Sequence, residues 1–284
     1  MCYNLTMEEQ VVNTERKIGK LQQVERSLIT AYKSRIFSKF TEAVKQYQLI
    51  EDGDKIAVCI SGGKDSMLMA KCFQELKRHG KNNFELEFLV MDPGYPSANT
   101  QRIVDNAKLL GVPITVFKSD IYAVTENVKG SPCFLCARMR RGFLYAKAQE
   151  MGCNKIALGH HFDDVVETIL MSVLYNGQMQ SMRPKLRATN FKGMQLIRPL
   201  YLVRERDIIA FKNAHGLEFL QCDCRRERSG KEGKRSETKA LVAMLEKQNS
   251  VAPLNIFNAS QNVMLDTLLG YKKGEEEHFF LEEY

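Results

Sequence analysis

The chain has 284 residues, of which 44% are hydrophobic, enough to bury one large core or two small ones. Its formal net charge of +7 favours an acidic partner such as nucleic acid, although many small enzymes are mildly basic and bind none. We expect a cytoplasmic protein, because the sequence contains neither a signal peptide nor an apolar segment long enough to cross a membrane. The eight cysteines would then be reduced, which argues against a disulfide scaffold and for metal or redox use of some of them.

Residues 1–50 are predicted to form an N-terminal helical region. Apolar residues recur at helical spacing from Ile18 to Ile29, and either one long helix or two would fit the pattern. Residues 51–270 alternate short apolar strands with helices, which predicts a doubly wound, Rossmann-like α/β domain with a mainly parallel five-stranded sheet. Residues 271–284 are interpreted as an acidic, partly ordered tail.

The segment KIAVCISGGKDSMLMA, from Lys55 to Ala70, combines a buried strand, a glycine turn and the start of a helix. Glycines let backbone N–H groups approach an anion, and the helix N-terminus adds partial positive charge. The segment therefore predicts a phosphate site, with an ordinary glycine-rich turn as the simpler alternative. Asp65 could orient Mg²⁺, position Lys64 or only cap the helix. The residues of this predicted site are Ser61, Gly62, Gly63, Lys64, Asp65 and Ser66.

Two further segments are expected to face the same crevice, because ligands of open parallel sheets lie beyond the carboxyl ends of the strands. The strand Phe84–Asp92 ends with Met91 and Asp92, which are placed to line an adenine and ribose pocket. The second segment, GHHFDDVVET, follows a strand and contains two histidines and two aspartates. Asp163 and Asp164 could bind Mg²⁺ or cap the following helix, and His160 could contact phosphate or only fill space.

The cysteines suggest a second centre. Cys133 and Cys136 form a Cys-x-x-Cys at the first turn of a helix beginning near Pro132, and Cys222 and Cys224 follow about ninety residues later. Zinc, a redox dithiol and an iron–sulfur cluster all remain open from the pair alone. Because Cys-x-Cys spacing is short for tetrahedral zinc, three thiolate ligands are favoured over four. Three other cysteines are interpreted as buried and structural: Cys59, Cys72 and Cys153.

Taken in order, SGGKDS, PCFLCARMRRG, LGHHFDDVVET, IRPLYLVRERDI and a late Cys222 resemble the tRNA 2-thiocytidine synthetase family of PP-loop ATP pyrophosphatases. The resemblance covers roughly residues 20–263. It implies an enzyme that uses ATP, Mg²⁺ and a [4Fe-4S] cluster to replace the C2 oxygen of a tRNA cytidine with sulfur. The implied cluster ligands are Cys133, Cys136 and Cys222, with Cys224 as a substitute, since this chain has Cys-x-Cys where the family commonly has Cys-x-x-Cys. The implied ATP contacts are the phosphate-site residues, with Gly159, His160 and Asp164 nearby.

The resemblance also implies partners: the anticodon loop of tRNA, a sulfur donor such as a cysteine desulfurase, and a second copy of the chain. RNA contact is assigned to basic residues that could alternatively be solvated: Arg138, Arg140, Arg141, Arg183 and Arg225. Four other functions stay open: a 2-thiouridine thiolase, an iron–sulfur desulfurase of thiolated bases, a PP-loop amide ligase for a small molecule, and an RNA-binding module. The thiouridine branch is disfavoured because neither end of the chain has a further Cys-x-x-Cys pair.

Overall fold

A computed structural model describes residues 19–119, 132–220 and 233–283, with the backbone alone for residues 132–137 and 283. The helices in these ranges are α1 (Lys20–Ile29), α2 (Ser38–Gln46), α3 (Lys64–His79), α4 (Ser97–Leu109), α5 (Pro132–Glu150), α6 (Phe162–Asn176), α7 (Glu205–Ala214), α8 (Lys234–Gln248) and α9 (Ala252–Ala259). The strands are β1 (Lys55–Ile60), β2 (Glu85–Asp92), β3 (Ile114–Lys118), β4 (Lys155–Ala157), β5 (Lys185–Arg187), β6 (Gln195–Ile197), β7 (Gly270–Lys273) and β8 (Glu276–Phe279). No helix of the described ranges combines the length and apolar character that a membrane span requires.

In the described part of the chain, the central sheet has six strands in the order β3-β2-β1-β4-β6-β5. Five of them are parallel, and β5 pairs antiparallel with β6 at one edge. The predicted doubly wound, mainly parallel architecture is confirmed, but the prediction of five strands is wrong by one. The extra strand, β5, has three residues and lies in a polar, basic segment of the chain. Three residues are too few for an alternating pattern to reveal a strand.

The topology places a crevice beside β1. After β1 the chain continues to β2 on one side of it, whereas β4 pairs with its other side. The carboxyl ends of β1 and β4 therefore border the point where the strand order reverses, which is where open α/β sheets bind ligands. The loops that follow these two strands contain the SGGKDS and GHHFDD segments.

The N-terminal region packs into the main core. Its two helices are joined by a π-helical turn over Lys33–Phe37. Val24 and Phe40 are fully buried, and the Phe40 ring packs edge-on against Phe73 of α3 at 5.3 Å between centroids. Lys71 of α3 is also buried, and its ammonium donates to Glu25 of α1 at 2.7 Å. An apolar seam and a buried ion pair thus fix residues 20–50 to the sheet domain.

The C-terminal segment differs in detail from its interpretation as a tail. Residues 270–279 form the antiparallel hairpin β7–β8, followed by a 3₁₀ turn over Phe280–Glu283. From Gln261 to Glu282 every residue except His278 is exposed. The acidic run provides strand residues for the hairpin without adding to the core.

Candidate active site

A cavity of about 350 Å³ occupies the crevice beyond β1 and β4. This volume lies within the range of small-molecule sites. Its wall includes seven residues predicted from the sequence: Ser61, Asp65, Ser66, Met91, Gly159, His160 and Asp164. Its other lining residues are Cys59, Ile60, Tyr95, Arg140, Leu144, Leu158 and Arg235. Gly62, Gly63, Lys64 and Asp92 were predicted beside them and are not lining residues.

Hydroxyl groups hold the loop after β1 in a closed turn. The Ser66 hydroxyl donates to the carbonyl of Gly63 at 3.0 Å and accepts from the backbone N–H of Ser61 at 3.1 Å. Gly62 has a φ of +84°, and a Cβ there would lie 2.7 Å from Cγ1 of Ile103. Only glycine satisfies both conditions, so the sequence SGG encodes this turn directly.

The same glycine contacts the segment that precedes the late cysteines. The backbone N–H of Leu220 donates to the carbonyl of Gly62 at 3.2 Å. Leu220 stands two residues before Cys222 in the sequence. Cys222 and Cys224 themselves lie outside the described residues, so their predicted role as ligands stays a prediction.

Lys64 and Asp65 form an ion pair that extends to α7. The Lys64 ammonium lies 3.2 Å from Asp65 Oδ2 and 3.0 Å from Glu205 Oε1. Burial opposes the charge of Lys64, but the two carboxylates outweigh it and raise its pKa. The other oxygen of Asp65, Oδ1, is buried and has no hydrogen-bond partner among the described residues, and burial raises the pKa of this carboxyl. An unsatisfied buried acceptor on a cavity wall is a fitting ligand for a cation.

The GHHFDD segment packs directly on the first turn of α3. A Cβ at Gly159 would lie 3.1 Å from the backbone nitrogen of Ser66, so a larger residue would separate the two motifs. His161 and Asp164 form a capping box on α6, in which the backbone N–H of His161 donates to Asp164 Oδ2 at 2.9 Å. Asp164 thus caps the helix, as one sequence interpretation held, and also lines the cavity.

The neighbouring aspartate, Asp163, is engaged elsewhere. Its Oδ1 accepts from Arg204 Nε at 3.0 Å, and its Oδ2 accepts from the backbone N–H of Glu205 at 2.6 Å. Both oxygens serve to hold the start of α7 against α6. Of the two candidate Mg²⁺ ligands, Asp164 is the one among the described residues that line the cavity.

His160 is held neutral on the cavity wall. Arg198 Nε donates to its Nδ1 at 3.4 Å, and the same guanidinium donates to the carbonyl of Arg183. Burial, reinforced by the charge of Arg198, lowers the pKa of His160 from 6.5 to about 4. The nitrogen that accepts from Arg198 leaves Nε2 as the protonated one, so the ring can donate a hydrogen bond there.

Met91 and Asp92 have different roles, since one lines the cavity and the other stabilises a loop. Met91 lines the cavity, as predicted. The buried carboxylate of Asp92 instead accepts from the backbone N–H groups of Gly94 and Tyr95, at 2.9 and 2.8 Å, and from the Thr100 hydroxyl at 3.0 Å. Asp92 thus shapes the loop that brings Tyr95 to the wall.

The predicted Cys-x-x-Cys lies in the first turn of α5, which begins at Pro132 as expected. With 3.6 residues per turn, helix positions 133, 136, 140 and 144 share one face. Arg140 and Leu144 on that face line the cavity. The side chains of Cys133 and Cys136 lie outside the described ones.

The three cysteines interpreted as structural are buried free thiols. Burial raises the pKa of Cys59 to about 12 and that of Cys153 to about 11, and it raises the pKa of Cys72 as well. Within the described ranges, no group of three or more His, Cys, Asp or Glu side chains is arranged to hold a metal ion.

Sequence reasoning missed two arginines at the site. Arg198 stands in the IRPL segment, which was matched as part of a motif but assigned no role. Arg235 is the second residue of α8 and follows a basic, glycine-containing segment. Nothing in the sequence distinguishes it from the neighbouring lysines and arginines. Its guanidinium pairs with Asp164 and, through Nε, with Glu167 Oε2 at 3.1 Å.

A family profile described as the PP-loop domain matches residues 32–229. This range covers most of the chain and includes the loops that follow β1 and β4 as well as helix α7. The chain belongs to the PP-loop family. Curated relatives within it are named tRNA-cytidine(32) 2-sulfurtransferase. The protein of that name from Anaeromyxobacter sp. strain Fw109-5 is 36% identical over 85% of this chain and 80% of its own length. That from Coxiella burnetii strain RSA 493 is 37% identical over 81% of this chain and 90% of its own.

The fold of the PP-loop family member also matches a solved structure. The U34-tRNA thiolase NcsA from Methanococcus maripaludis, determined with its [4Fe-4S] cluster, superimposes with a TM-score of 0.65 over 83% of this chain and 80% of its own. The two sequences are 22% identical, so this likeness supports the fold. The predicted resemblance to the 2-thiocytidine synthetase family is confirmed by the sequence relatives.

Proposed function

We propose that this protein is an ATP-dependent tRNA sulfurtransferase that converts a cytidine of the anticodon loop to 2-thiocytidine. The relatives' names specify cytidine 32, and we assign the same nucleotide here. The observation that carries the proposal is one continuous wall. The phosphate loop, the GHHFDD segment and Arg140 and Leu144 of α5 line the same cavity, and helix positions 133 and 136 fall on the same face of α5 as those two residues.

The cavity suits adenylation of a base oxygen. The C2 oxygen of the cytidine attacks the α-phosphate of ATP, and the bond to the pyrophosphate breaks. Backbone amides at the positive end of α3, next to the cavity-lining Ser61, Asp65 and Ser66, would stabilise charge on the departing pyrophosphate. A neutral His160 would donate from Nε2 to a phosphate oxygen while its Nδ1 accepts from Arg198. The adenylated oxygen leaves as AMP when sulfur bonds to C2.

Mg²⁺ fits this site through Asp65 and Asp164. Asp65 Oδ1 is buried, no described residue forms a hydrogen bond to it, and both carboxylates line the cavity. Two carboxylate oxygens together with phosphate oxygens are a common protein setting for Mg²⁺. Lys64, held between Asp65 and Glu205, would keep the Asp65 carboxylate ionised and oriented.

An iron–sulfur cluster fits the donor set that the sequence supplies. Cys133 and Cys136 stand one helical turn apart, and Cys222 follows Leu220, which is hydrogen-bonded to the phosphate loop. Three thiolates can hold a [4Fe-4S] cluster and leave one iron open, with Cys224 as the substitute third ligand. When bound, the cluster would supply the sulfur that replaces the C2 oxygen.

The partners follow from this chemistry. The target base must leave the stack, and anticodon loops present bases that are already partly unstacked. We infer a cysteine desulfurase or a similar enzyme as the sulfur source and a cytoplasmic location, where tRNA and reducing conditions meet. A homodimer is proposed on the family resemblance alone.

Nucleoside mass spectrometry tests the proposal. tRNA from cells lacking the protein should lose 2-thiocytidine and keep its other thionucleosides. Complementation with the wild-type chain should restore it, and complementation with Cys133→Ser should not. Retention of 2-thiocytidine in the deletion strain would overturn the assignment, and loss of a 2-thiouridine instead would transfer the activity to that nucleoside.

A further inference from the structure

Arg235 stands where the cavity meets α8. It lines the cavity, its Nη2 pairs with Asp164 Oδ1, and its Nε lies 3.1 Å from Glu167 Oε2. About half of its side chain remains exposed, so the guanidinium has room to change partner. Among the described residues that line the cavity, Arg235 is the cation contributed by α8, and Arg140 is the one contributed by α5.

Its place in the helix is electrostatically unfavourable. Arg235 and Lys234 are the first two residues of α8, at the end of the helix that carries partial positive charge. Cations there are destabilising in the absence of an anion, and acidic residues are the usual occupants. The carboxylates of Asp164 and Glu167 provide the compensating charge in this structure.

Asp164 holds Arg235 through a single oxygen. Its Oδ2 accepts from the backbone of His161 in the capping box, which leaves Oδ1 for Arg235. Burial opposes the Asp164 charge, but His161 and Arg235 outweigh it and lower the pKa of this carboxyl. A magnesium ion that bound Asp164 through Oδ1 would meet the Arg235 guanidinium there, so Arg235 and the metal would compete for this oxygen.

The rest of α8 is anchored independently. Lys239 pairs with Glu205 of α7 at 2.6 Å, and Glu246 receives Arg204 of the loop before α7 at 2.9 Å. Val242 is buried between these two contacts. Release of Arg235 from Asp164 would thus leave the helix in place.

We propose that Arg235 is a further nucleotide-binding residue, whose guanidinium transfers from Asp164 to the triphosphate when ATP enters the cavity. The inference rests on the proposed function, since it requires the cavity to be the ATP site. The exchange gives the triphosphate a charged, bidentate donor and frees Asp164 Oδ1 for the metal in the same step.

The test is an ATP titration by calorimetry in EDTA and without tRNA. Because EDTA removes the metal, a change in metal binding does not contribute to the measured ATP affinity. Arg235→Gln should weaken ATP binding about tenfold or more and leave AMP binding nearly unchanged. Arg235→Lys keeps the positive charge but loses the guanidinium that donates two hydrogen bonds at once. Its ATP affinity should lie between those of the wild type and Arg235→Gln. The matched control is Arg206→Gln, an exposed arginine that pairs with Glu246 of α8 and does not line the cavity. It should bind ATP as the wild type does.

A second background separates contact from simple neutralisation. If Arg235 only masks the Asp164 charge, its substitution should have no effect in an Asp164→Asn protein. If it contacts the triphosphate, ATP binding should weaken by a similar factor in both backgrounds. Equal ATP affinity of Asp164→Asn and the Asp164→Asn, Arg235→Gln double variant would overturn the inference.

The melting temperature of each variant without nucleotide shows whether it is folded. If Arg235→Gln does not fold, the ATP affinity of Arg235→Lys is compared with that of the wild type instead. Wild-type protein that binds ATP neither in EDTA nor with Mg²⁺ would contradict the proposed function itself. Wild-type binding together with unchanged binding by Arg235→Gln and Arg235→Lys would contradict only the role of Arg235.

Discussion

Gly62 combines a positive φ of +84° with close contact to Ile103. We expect Gly62→Ala to lower the free energy of unfolding by clearly more than the ~1 kcal/mol that the backbone conformation alone costs, because the new Cβ must displace Ile103 or the loop. Urea denaturation measures the change. ATP binding should be lost with it, since the loop amides would shift.

Gly53 provides the matched control for this prediction. Its φ is +85°, and a Cβ there would meet no atom within 4 Å. Gly53→Ala should therefore cost about 1 kcal/mol and leave ATP binding intact. Equal destabilisation by the two substitutions would mean that the contact with Ile103 adds nothing.

His160 makes stability depend on pH. Its pKa falls from 6.5 to about 4 on folding, because of burial and then the Arg198 charge. The unfolded chain thus binds a proton between these values while the folded chain does not. The stabilisation is complete above pH 6.5 and is lost as pH falls towards 4, by at most about 1.4 kcal/mol per pH unit.

His160→Asn tests this contribution, since its side-chain oxygen can accept from Arg198 as Nδ1 does. Urea denaturation of both proteins from pH 7.5 to 4.5 should show a difference that narrows as the wild type loses stability below 6.5. Parallel pH profiles would show that His160 takes up its proton equally in both states.

For single residues, the sequence predicted which side chains lie close together more often than it predicted the role of each side chain. SGGKDS and GHHFDD share a wall as expected, because parallel strands bring their following loops to one edge. Asp92 lies at the same edge, but its carboxylate is used by backbone N–H groups of its own loop. Arg235 could not be found, because its partners Asp164 and Glu167 are about seventy residues away in sequence.

Among the elements, α9 stabilises α6 through aromatic packing. Phe257 is 4% exposed, and its ring centroid lies 4.9 Å from Phe162 and 5.5 Å from Tyr201. Phe257→Ala should cost about 3–5 kcal/mol of unfolding free energy through the cavity it leaves. Thermal or urea unfolding would detect this readily.

Leu254 on the same helix is the control, because 49% of it is already exposed. Leu254→Ala should cost less than about 1 kcal/mol. A similar cost for both variants would indicate that α9 contributes by helix formation alone and that its packing on α6 is unimportant.

Long, periodic elements were predictable and short ones were not. α5 begins at Pro132, and α6 ends at Asn176 with the left-handed Gly177 as its cap, as the proline and glycine signals indicate. The three-residue strand β5 offers no such signal, and the hairpin β7–β8 has a left-handed glycine, Gly274, but no alternating apolar pattern in its strands. β5 forms because β6 presents an open edge to it, which is a property of the sheet as a whole.

For the whole molecule, the net charge of +7 predicts a tRNA-binding face. Arg138 and Arg141 are exposed on α5, beside the cavity-lining Arg140. Replacing both by glutamate should weaken tRNA binding at low salt and reduce the slope of log affinity against log salt by about one per lost phosphate contact. Filter binding at several salt concentrations measures this slope.

Arg206→Glu with Arg102→Glu is the charge-matched control, since both arginines are exposed and away from the cavity wall. This pair should change the overall charge equally and leave the slope closer to that of the wild type. An identical loss in both double variants would mean that tRNA responds to net charge and not to the α5 face.

The central claim is that the cavity activates a base oxygen by transferring AMP to it. Anaerobically reconstituted protein, given ATP, sulfide and tRNA labelled with ¹⁸O at the C2 position of its cytidines, allows a direct measurement. Mass spectrometry should find one ¹⁸O in the phosphate of the released AMP for each 2-thiocytidine formed. Formation of 2-thiocytidine with unlabelled AMP would contradict the account.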